Sequence, residues 1–116
     1  MSKVEAISYA KARQTAQTAV FRCMANLKEL DLKVAELESR VEYDVATAVD
    51  EEGKAIYSNE TKRKAEVARI LRGNTTYRRL QRIRRDLEDE IGQHKADERY
   101  WTDMVQIECA FAAVHD

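Results

Sequence analysis

The chain has 116 residues, of which 35% are charged, and it contains no proline and only three glycines. One domain is the usual expectation for this length, and the scarcity of the two strongest helix breakers predicts long helices. The net charge of −1 argues against a protein that is basic or acidic throughout, and no apolar run approaches the roughly 18 residues that cross a bilayer.

The N-terminus and the two cysteines predict the compartment. The first residues enter a helical pattern directly, without the apolar core of a signal peptide. Cys23 and Cys109 lie far apart in sequence, each on an apolar helical face, which predicts two reduced and buried thiols. We therefore expect a cytoplasmic protein with no membrane association.

A strict heptad organises the first half of the chain. Its apolar residues alternate at steps of three and four positions: Val20, Cys23, Leu27, Leu30, Val34, Leu37 and Val41. Such a 3.5-residue repeat keeps one stripe of a helix against a partner helix. The pattern predicts a first long helix over residues 4–49, and its apolar seam requires a partner.

A hinge and two further helices follow in the predicted order. Acidic residues around Gly53 indicate a solvated turn, so we place the hinge at residues 50–59 and expect Ile56 and Tyr57 to pack across the end of the bundle. A short helix is predicted over 60–72 with Ser58 or Asn59 as its N-cap. The last helix is predicted over 76–114, capped by Asn74 or Thr75.

The last helix supplies the partner stripe. Its seam positions are Leu80, Ile83, Leu87, Ile91, His94, Glu98 and Trp101. Folding the chain back at the hinge makes the two long helices antiparallel, in a register that pairs Val41 with Ile83 and Cys23 with Trp101. The predicted fold class is therefore all-α: a single domain, residues 1–116, forming a long antiparallel helical hairpin with a short helix near the hinge.

The apolar surface broadens toward the two termini, beyond what two helices can bury. Monomers rarely expose apolar patches of that size, so we expect self-association through this end. A C2 dimer that forms a four-helix bundle is the simplest closed arrangement. The residues predicted at this oligomer interface are Ile7, Phe21, Met24, Trp101, Val105 and Phe111.

Charge is segregated along the chain. Residues 29–52 contain nine acidic and two basic side chains, whereas residues 61–85 contain ten basic and one acidic. In one interpretation the arginines of the last helix pair with acids of the first, since opposite flanking charges orient coiled coils. In the other, a basic tip follows a nucleic-acid backbone. The residues predicted for this tip are Lys62, Arg63, Lys64, Arg69, Arg72 and Arg78.

No arrangement of residues indicates catalysis or a cofactor. Glu90, His94 and Glu98 share a helical face at four-residue spacing, but the predicted register places only apolar side chains opposite them. A polar layer that fixes the register is the better interpretation of these three residues. The three glycines are isolated, so they form no phosphate-binding loop. We therefore predict a non-enzymatic protein without a metal or cofactor.

Several short motifs around the hinge resemble a group of small bacteriophage and prophage coiled-coil proteins. They are Tyr43-Asp44-Val45, Asp50-Glu51-Glu52-Gly53-Lys54, Tyr57-Ser58-Asn59-Glu60, Lys62-Arg63 and Tyr77. The resemblance covers residues 27–111, and Gly73-Asn74 departs from it where an acidic residue and a proline are expected. It implies a viral setting, a bacterial host cytoplasm and a role among replication and recombination genes, and it transfers no catalytic residue.

Three functions are consistent with these observations. The first is an accessory protein that assists DNA recombination or replication through the basic tip, with a recombination enzyme as its protein partner. The second is an inhibitor of a host defence protein, similar in action to an anti-CRISPR, that works through a protein surface. The third is a structural spacer or scaffold.

Overall fold

A computed structural model describes residues 3–115 of the chain, which form three α-helices. They are α1 (Lys3–Thr47), α2 (Glu60–Gly73) and α3 (Thr75–His115). The described residues contain no strand beyond an isolated antiparallel bridge between Val49 and Ala55. The predicted fold class, an all-α antiparallel helical hairpin with a short helix near the hinge, is confirmed.

The contacts divide the chain into two compact units. We call Lys28–Arg85 the hinge unit, and the described parts of Met1–Leu27 and Asp86–Asp116 the terminal unit. Both units are built from antiparallel stretches of α1 and α3, and the hinge unit also contains α2.

The core of the terminal unit is narrow. Its buried apolar side chains are Ala16, Val20, Cys23 and Ile91. Towards the chain ends, the Trp101 ring stacks on Tyr9 with the ring centroids 5.5 Å apart, an offset arrangement that aromatic pairs favour. The Gln17 amide donates a hydrogen bond of 3.2 Å to the Glu98 carboxylate. A thin apolar seam with polar links at its edge therefore joins α1 to α3 here.

The core of the hinge unit is broader because α2 adds a third layer. Val41, Val45 and Leu71 form its buried centre. Around them pack Leu37, Tyr57, Val67, Ile70 and Tyr77. Leu30 and Val34 continue the buried stripe along α1. Three helices can bury a wider apolar face than two, which explains why this unit has the larger cluster.

The hinge turn is held by the side chain of Asp50. Its carboxylate accepts hydrogen bonds of 2.9 Å from the backbone N–H groups of both Glu52 and Lys54. Gly53 has φ +82°, a left-handed conformation that side chains rarely adopt. Tyr57 packs on the core as predicted, but the Ile56 side chain is exposed, and its backbone N–H donates a hydrogen bond to the Ala48 carbonyl.

Two asparagines cap the later helices. Asn59 accepts a hydrogen bond of 2.8 Å from the backbone N–H of Lys62 at the start of α2. Asn74 ends α2 by donating its N–H to the Leu71 carbonyl, and its side chain accepts from the N–H of Tyr77 at 2.9 Å. A single residue therefore terminates one helix and caps the next.

The heptad seam of α1 is confirmed, whereas the predicted register with α3 is wrong. Each seam residue of α1 is buried or half-buried. Cys23, however, lies beside Glu90 rather than Trp101, a difference of eleven positions along α3. Eleven residues are just over three full turns at 3.6 residues per turn, so nearly the same face of α3 still meets α1. Apolar periodicity alone does not distinguish these two registers.

Two further predictions of burial are wrong. Ile83 is 38% exposed, and the neighbouring Arg84 lies at the seam instead, where its guanidinium is 3.2 Å from the Asp31 carboxylate. Cys109 is exposed, whereas Cys23 is buried as predicted. In both places the residue that faces inward is the sequence neighbour of the predicted one: Arg84 next to Ile83, and Glu108, which is 3% exposed, next to Cys109.

Candidate nucleic-acid interface

Two of the predicted basic residues on α2 have acidic partners within the same helix. The Lys64 ammonium is 3.1 Å from the Glu60 carboxylate. Arg69 forms a two-pronged ion pair with Glu66. These hydrogen bonds lower the pKa of Glu66 and raise that of Arg69, as expected where each charge stabilises the other. Local pairing therefore reduces the positive charge that this side of α2 offers to a ligand.

Lys62 and Arg63, two more predicted residues, lie in the first turn of α2 and differ in their exposure to solvent. Arg63 is half-buried, and its guanidinium donates a hydrogen bond of 3.3 Å to the Tyr57 carbonyl, which anchors the hinge to α2. Lys62 is exposed and has no ion pair among the described residues. The basic cluster predicted on this helix is thus partly structural.

Most arginines at the start of α3, by contrast, have no acidic partner among the described residues. Arg84 pairs with Asp31 across the hinge unit, as the first interpretation of the charge pattern expected. Arg78, Arg79, Arg82 and Arg85 are all exposed, and none of them forms an ion pair with any residue that the structure describes. Of the five arginines in this stretch of α3, one is therefore neutralised within the fold and four point into solvent.

These arginines line a continuous basic surface with Arg72 of α2. A groove of about 270 Å³ is bounded by Arg72, Tyr77, Arg78, Gln81, Arg82 and Arg85. A second groove of about 310 Å³ is bounded by Thr75, Arg78, Arg79 and Arg82. We refer to Arg72, Arg78, Arg79, Arg82 and Arg85 as the arginine face.

Spacing explains why the arginine face projects outward. Arg78, Arg82 and Arg85 stand at i, i+4 and i+7, so they lie on one side of the helix over about two turns. Each is two positions from an apolar seam residue, Leu80 or Leu87, and two positions rotate an α-helix by about 200°. The seam contacts α1, and the arginines consequently face away from it.

Two features favour an anion at this surface. Like charges at i and i+4 repel one another, so the cluster is unfavourable for the helix without a counter-charge. The first turn of α3 contains no acidic residue, and the positive end of its dipole lies beside Arg78 and Arg79 without a carboxylate to offset it. Phosphate oxygens match the forked donors of arginine at such a site.

The sequence-based prediction therefore named only part of this surface. The predicted tip includes Arg72 and Arg78, whereas Arg79, Arg82 and Arg85 enter only the other interpretation, in which the arginines of the last helix pair with acids of α1. The two-residue offset of Arg82 and Arg85 from Leu80 and Leu87 was visible in the sequence and marks an outward face. The error came from counting opposite charges across the hairpin in a register shifted by three turns.

Two of the three residues considered as metal ligands, Glu90 and Glu98, form hydrogen bonds to α1. Glu90 accepts from the Cys23 thiol at 3.5 Å, and Glu98 accepts from Gln17. Burial and the neighbouring Glu90 carboxylate raise the pKa of the Cys23 thiol, which disfavours the reactive thiolate. Among the described residues, no group of three metal-binding side chains lies close enough to hold an ion.

The residues predicted at an oligomer interface divide into two groups. Trp101 and Val105 are half-buried within the terminal unit, where Trp101 stacks on Tyr9. The other four are exposed: Ile7, Phe21, Met24 and Phe111, with Phe21 at 72%. The structure adds three exposed apolar residues on α3 that the prediction left out: Tyr100, Ile107 and Val114.

In comparisons with family models, curated proteins and solved structures, no match to this chain is found. Within residues 3–115, none of the helices has a segment that is both long and apolar enough to span a bilayer.

Proposed function

We propose that this protein acts by binding a nucleic-acid backbone through its arginine face, as a non-enzymatic accessory factor. The observation that carries the proposal is the outward row of Arg78, Arg82 and Arg85, whose guanidinium groups have no acidic partner in the described part of the chain. Each contact between such a group and a phosphate releases condensed counterions, which is the main source of affinity for non-specific binding.

Duplex DNA is the form of nucleic acid that this surface fits best. Binding of single strands usually relies on exposed aromatic rings on which the bases stack. Tyr77, the aromatic residue at the arginine face, is half-buried and packs against the core of the hinge unit. Positive charge without a stacking platform favours contact with the phosphates of a duplex.

The broader role follows the resemblance to bacteriophage coiled-coil proteins. In that setting we propose that DNA binding assists recombination or replication in the cytoplasm of a bacterial host. The alternative, inhibition of a host defence protein, stays a prediction that depends on a protein surface rather than on phosphate binding.

The experiment that tests DNA binding compares two matched pairs of substitutions. Arg82→Ala with Arg85→Ala removes two outward charges of α3, and Lys62→Ala with Lys64→Ala removes two charges of α2. We expect the first pair to weaken duplex binding at low salt by about tenfold or more, since each phosphate contact is separately favourable. The second pair should have a much smaller effect. Equal losses for both pairs would contradict the assignment to α3.

We also propose that the terminal unit self-associates. Its apolar side chains Tyr100, Met104, Ile107, Phe111 and Val114 alternate at steps of four and three, which is the spacing of a second coiled-coil seam. Met104 is half-buried and the other four are exposed. An apolar stripe of this length on the outside of α3 supports a homodimer, in which a second copy covers it.

A further inference from the structure

An open groove lies in the hinge unit, where the end of α1 meets α2. Its volume is about 730 Å³, within the range of cavities that accept ligands. The floor is formed by the apolar side chains Ala46, Val67, Ala68, Leu71 and Tyr77. We refer to it as the hinge groove.

The hinge groove is open because two of the residues that line it are alanines, whose side chains are too short to fill it. Val67, Leu71 and Tyr77 contribute one side to the buried cluster around Val41 and Val45 and present the other to the groove. Ala46 and Ala68 are exposed and leave the space above them open. An apolar side chain from another molecule would find apolar contacts there without displacing any part of the core.

The rim of the hinge groove carries charges of both signs, with Glu42 and Glu60 as its acids, and its positive end at Arg72 adjoins the arginine face. Lys64 at the rim is paired with Glu60, and Arg63 is held by the Tyr57 carbonyl. Arg72 is exposed, has no ion pair among the described residues, and lines both the hinge groove and the groove of the arginine face. Tyr77 is likewise shared by the two grooves. Apolar space therefore leads directly to unpaired guanidinium groups.

We propose that the hinge groove binds an acidic segment of a partner protein that carries an apolar anchor. The anchor side chain fills the groove over Ala46 and Ala68, and the adjoining carboxylates reach Arg72 and then Arg78 or Arg82. Charge complementarity selects this occupant, because carboxylates pair bidentately with arginine and an acidic ligand matches the unpaired end of the rim.

Two other occupants fit the surface less well. A nucleic acid satisfies the arginines but offers no flexible apolar side chain to fill the space over the alanines. A purely apolar ligand fills the groove but leaves the neighbouring guanidinium groups unpaired. The inference goes beyond DNA binding and does not require it, although the shared arginines predict that DNA and the acidic segment compete.

The test uses short fluorescein-labelled peptides whose binding is followed by anisotropy. One peptide carries a run of aspartates followed by two phenylalanines, a second has the reverse order, and a control replaces the phenylalanines by alanines. We expect at least one phenylalanine peptide to bind, and the alanine control to bind at least about tenfold more weakly, as for loss of a buried anchor.

Filling the hinge groove provides the decisive variant. Ala68→Trp places an indole in the groove from α2, and Ala46→Trp does so from α1, so that one remains informative if the other unfolds. We expect either variant with wild-type circular dichroism to lose peptide binding by about tenfold or more. Duplex DNA binding should be unchanged, because neither alanine belongs to the arginine face.

Three outcomes would overturn this proposal. The first is that neither phenylalanine peptide binds measurably. The second is that the filled variants bind the peptides as tightly as the wild-type protein does and the alanine peptide binds as tightly as the phenylalanine peptides, which would mean that the arginines merely attract polyanions. A filled variant that changes the mass of the protein in solution would assign the groove to a second copy. Since DNA binding is measured on the same variants with a separate probe, failure of the DNA proposal would be recognised independently.

Discussion

Asn74 joins two helices with the hydrogen bonds of one residue. Its backbone N–H donates to the Leu71 carbonyl at 3.1 Å, and its side chain accepts from the N–H of Tyr77 at 2.9 Å. Leu71 and Tyr77 both belong to the core of the hinge unit. The cap therefore fixes the direction in which α3 leaves α2, and with it the position of the arginines that follow.

Replacing Asn74 by alanine tests this role. Loss of a side-chain cap costs about 1 kcal/mol in the free energy of unfolding, because an N–H at the start of α3 loses its partner. Chemical denaturation would measure the change, with Thr76→Ala on the exposed first turn as control. Equal stability of the two variants would show that the cap makes no net contribution.

The two cysteines differ in their surroundings and should differ in reactivity. Cys23 is buried beside Glu90, whereas Cys109 is exposed. A raised pKa leaves a smaller fraction of the Cys23 thiol as the reactive thiolate at any pH below it. The sequence placed both residues on apolar faces, and only the position of α1 relative to those faces decides which one is covered.

Thiol labelling at pH 8 provides the measurement. Cys109 should react several-fold faster than Cys23 with a disulfide reagent. In a Cys109→Ser background, Glu90→Gln should speed the labelling of Cys23, because removing the carboxylate lowers the pKa of the thiol, and Asp89→Asn should not. Indistinguishable rates for Glu90→Gln and Asp89→Asn would exclude an influence of Glu90 on Cys23.

At the scale of helices, the sequence identifies the elements well and their register poorly. The predicted bounds of the three helices lie within two residues of the observed ones, and the start of α2 at Glu60 coincides. Near-absence of helix breakers, clear caps and the heptad at Val20–Val41 made this possible. The register failed because α2 lies against Val41 and Val45, where the simple hairpin had placed the start of α3.

This failure has a physical origin. The stripe of α3 continues to face α1 when it moves by three turns, so periodicity leaves several registers nearly equivalent. The length of chain that α2 occupies decides among them. That length depends on how α2 folds against α1, through contacts such as Leu71 with Val41, which are remote in sequence and carry no local signal.

Two glycines provide a matched test of backbone conformation. Gly53 has φ +82° in the hinge turn, so Gly53→Ala should destabilise the protein by about 1 kcal/mol despite the open space around it. Gly92 lies within α3, and an added methyl group there meets nothing within 4 Å. Gly92→Ala should therefore stabilise the protein by roughly 0.5–1 kcal/mol. Thermal or chemical unfolding of both variants gives the signs, and the same sign for both would contradict this account.

At the scale of the whole molecule, charge segregation was evident from the sequence but its purpose was not. The excess of acidic side chains in residues 29–52 and of basic side chains in residues 61–85 suggested that the two stretches neutralise each other across the hairpin. The structure shows one such pair, Asp31 with Arg84, and local pairs on α2. A count of charges does not reveal which side chains point at each other, and the arginine face emerges only once the helices are placed.

The mass in solution tests the proposed dimer. Light scattering at micromolar concentration should give twice the 13.4 kDa of the chain. Ile107→Asp with Phe111→Asp places charges in the outer stripe of α3 and should return the protein to a monomer. Leu32→Asp, at an exposed apolar position in the hinge unit, should leave the dimer intact. A monomeric wild-type protein would refute the dimer directly.

The binding of duplex DNA across a salt series tests the central proposal most directly. A log–log plot of affinity against salt should have a slope of about −0.9 per contacted phosphate, or about −4 to −5 if the whole arginine face takes part. Arg82→Ala with Arg85→Ala should reduce the magnitude of that slope by about 2. No binding at low salt, or a slope that these substitutions leave unchanged, would contradict the assignment of the arginine face to nucleic acid.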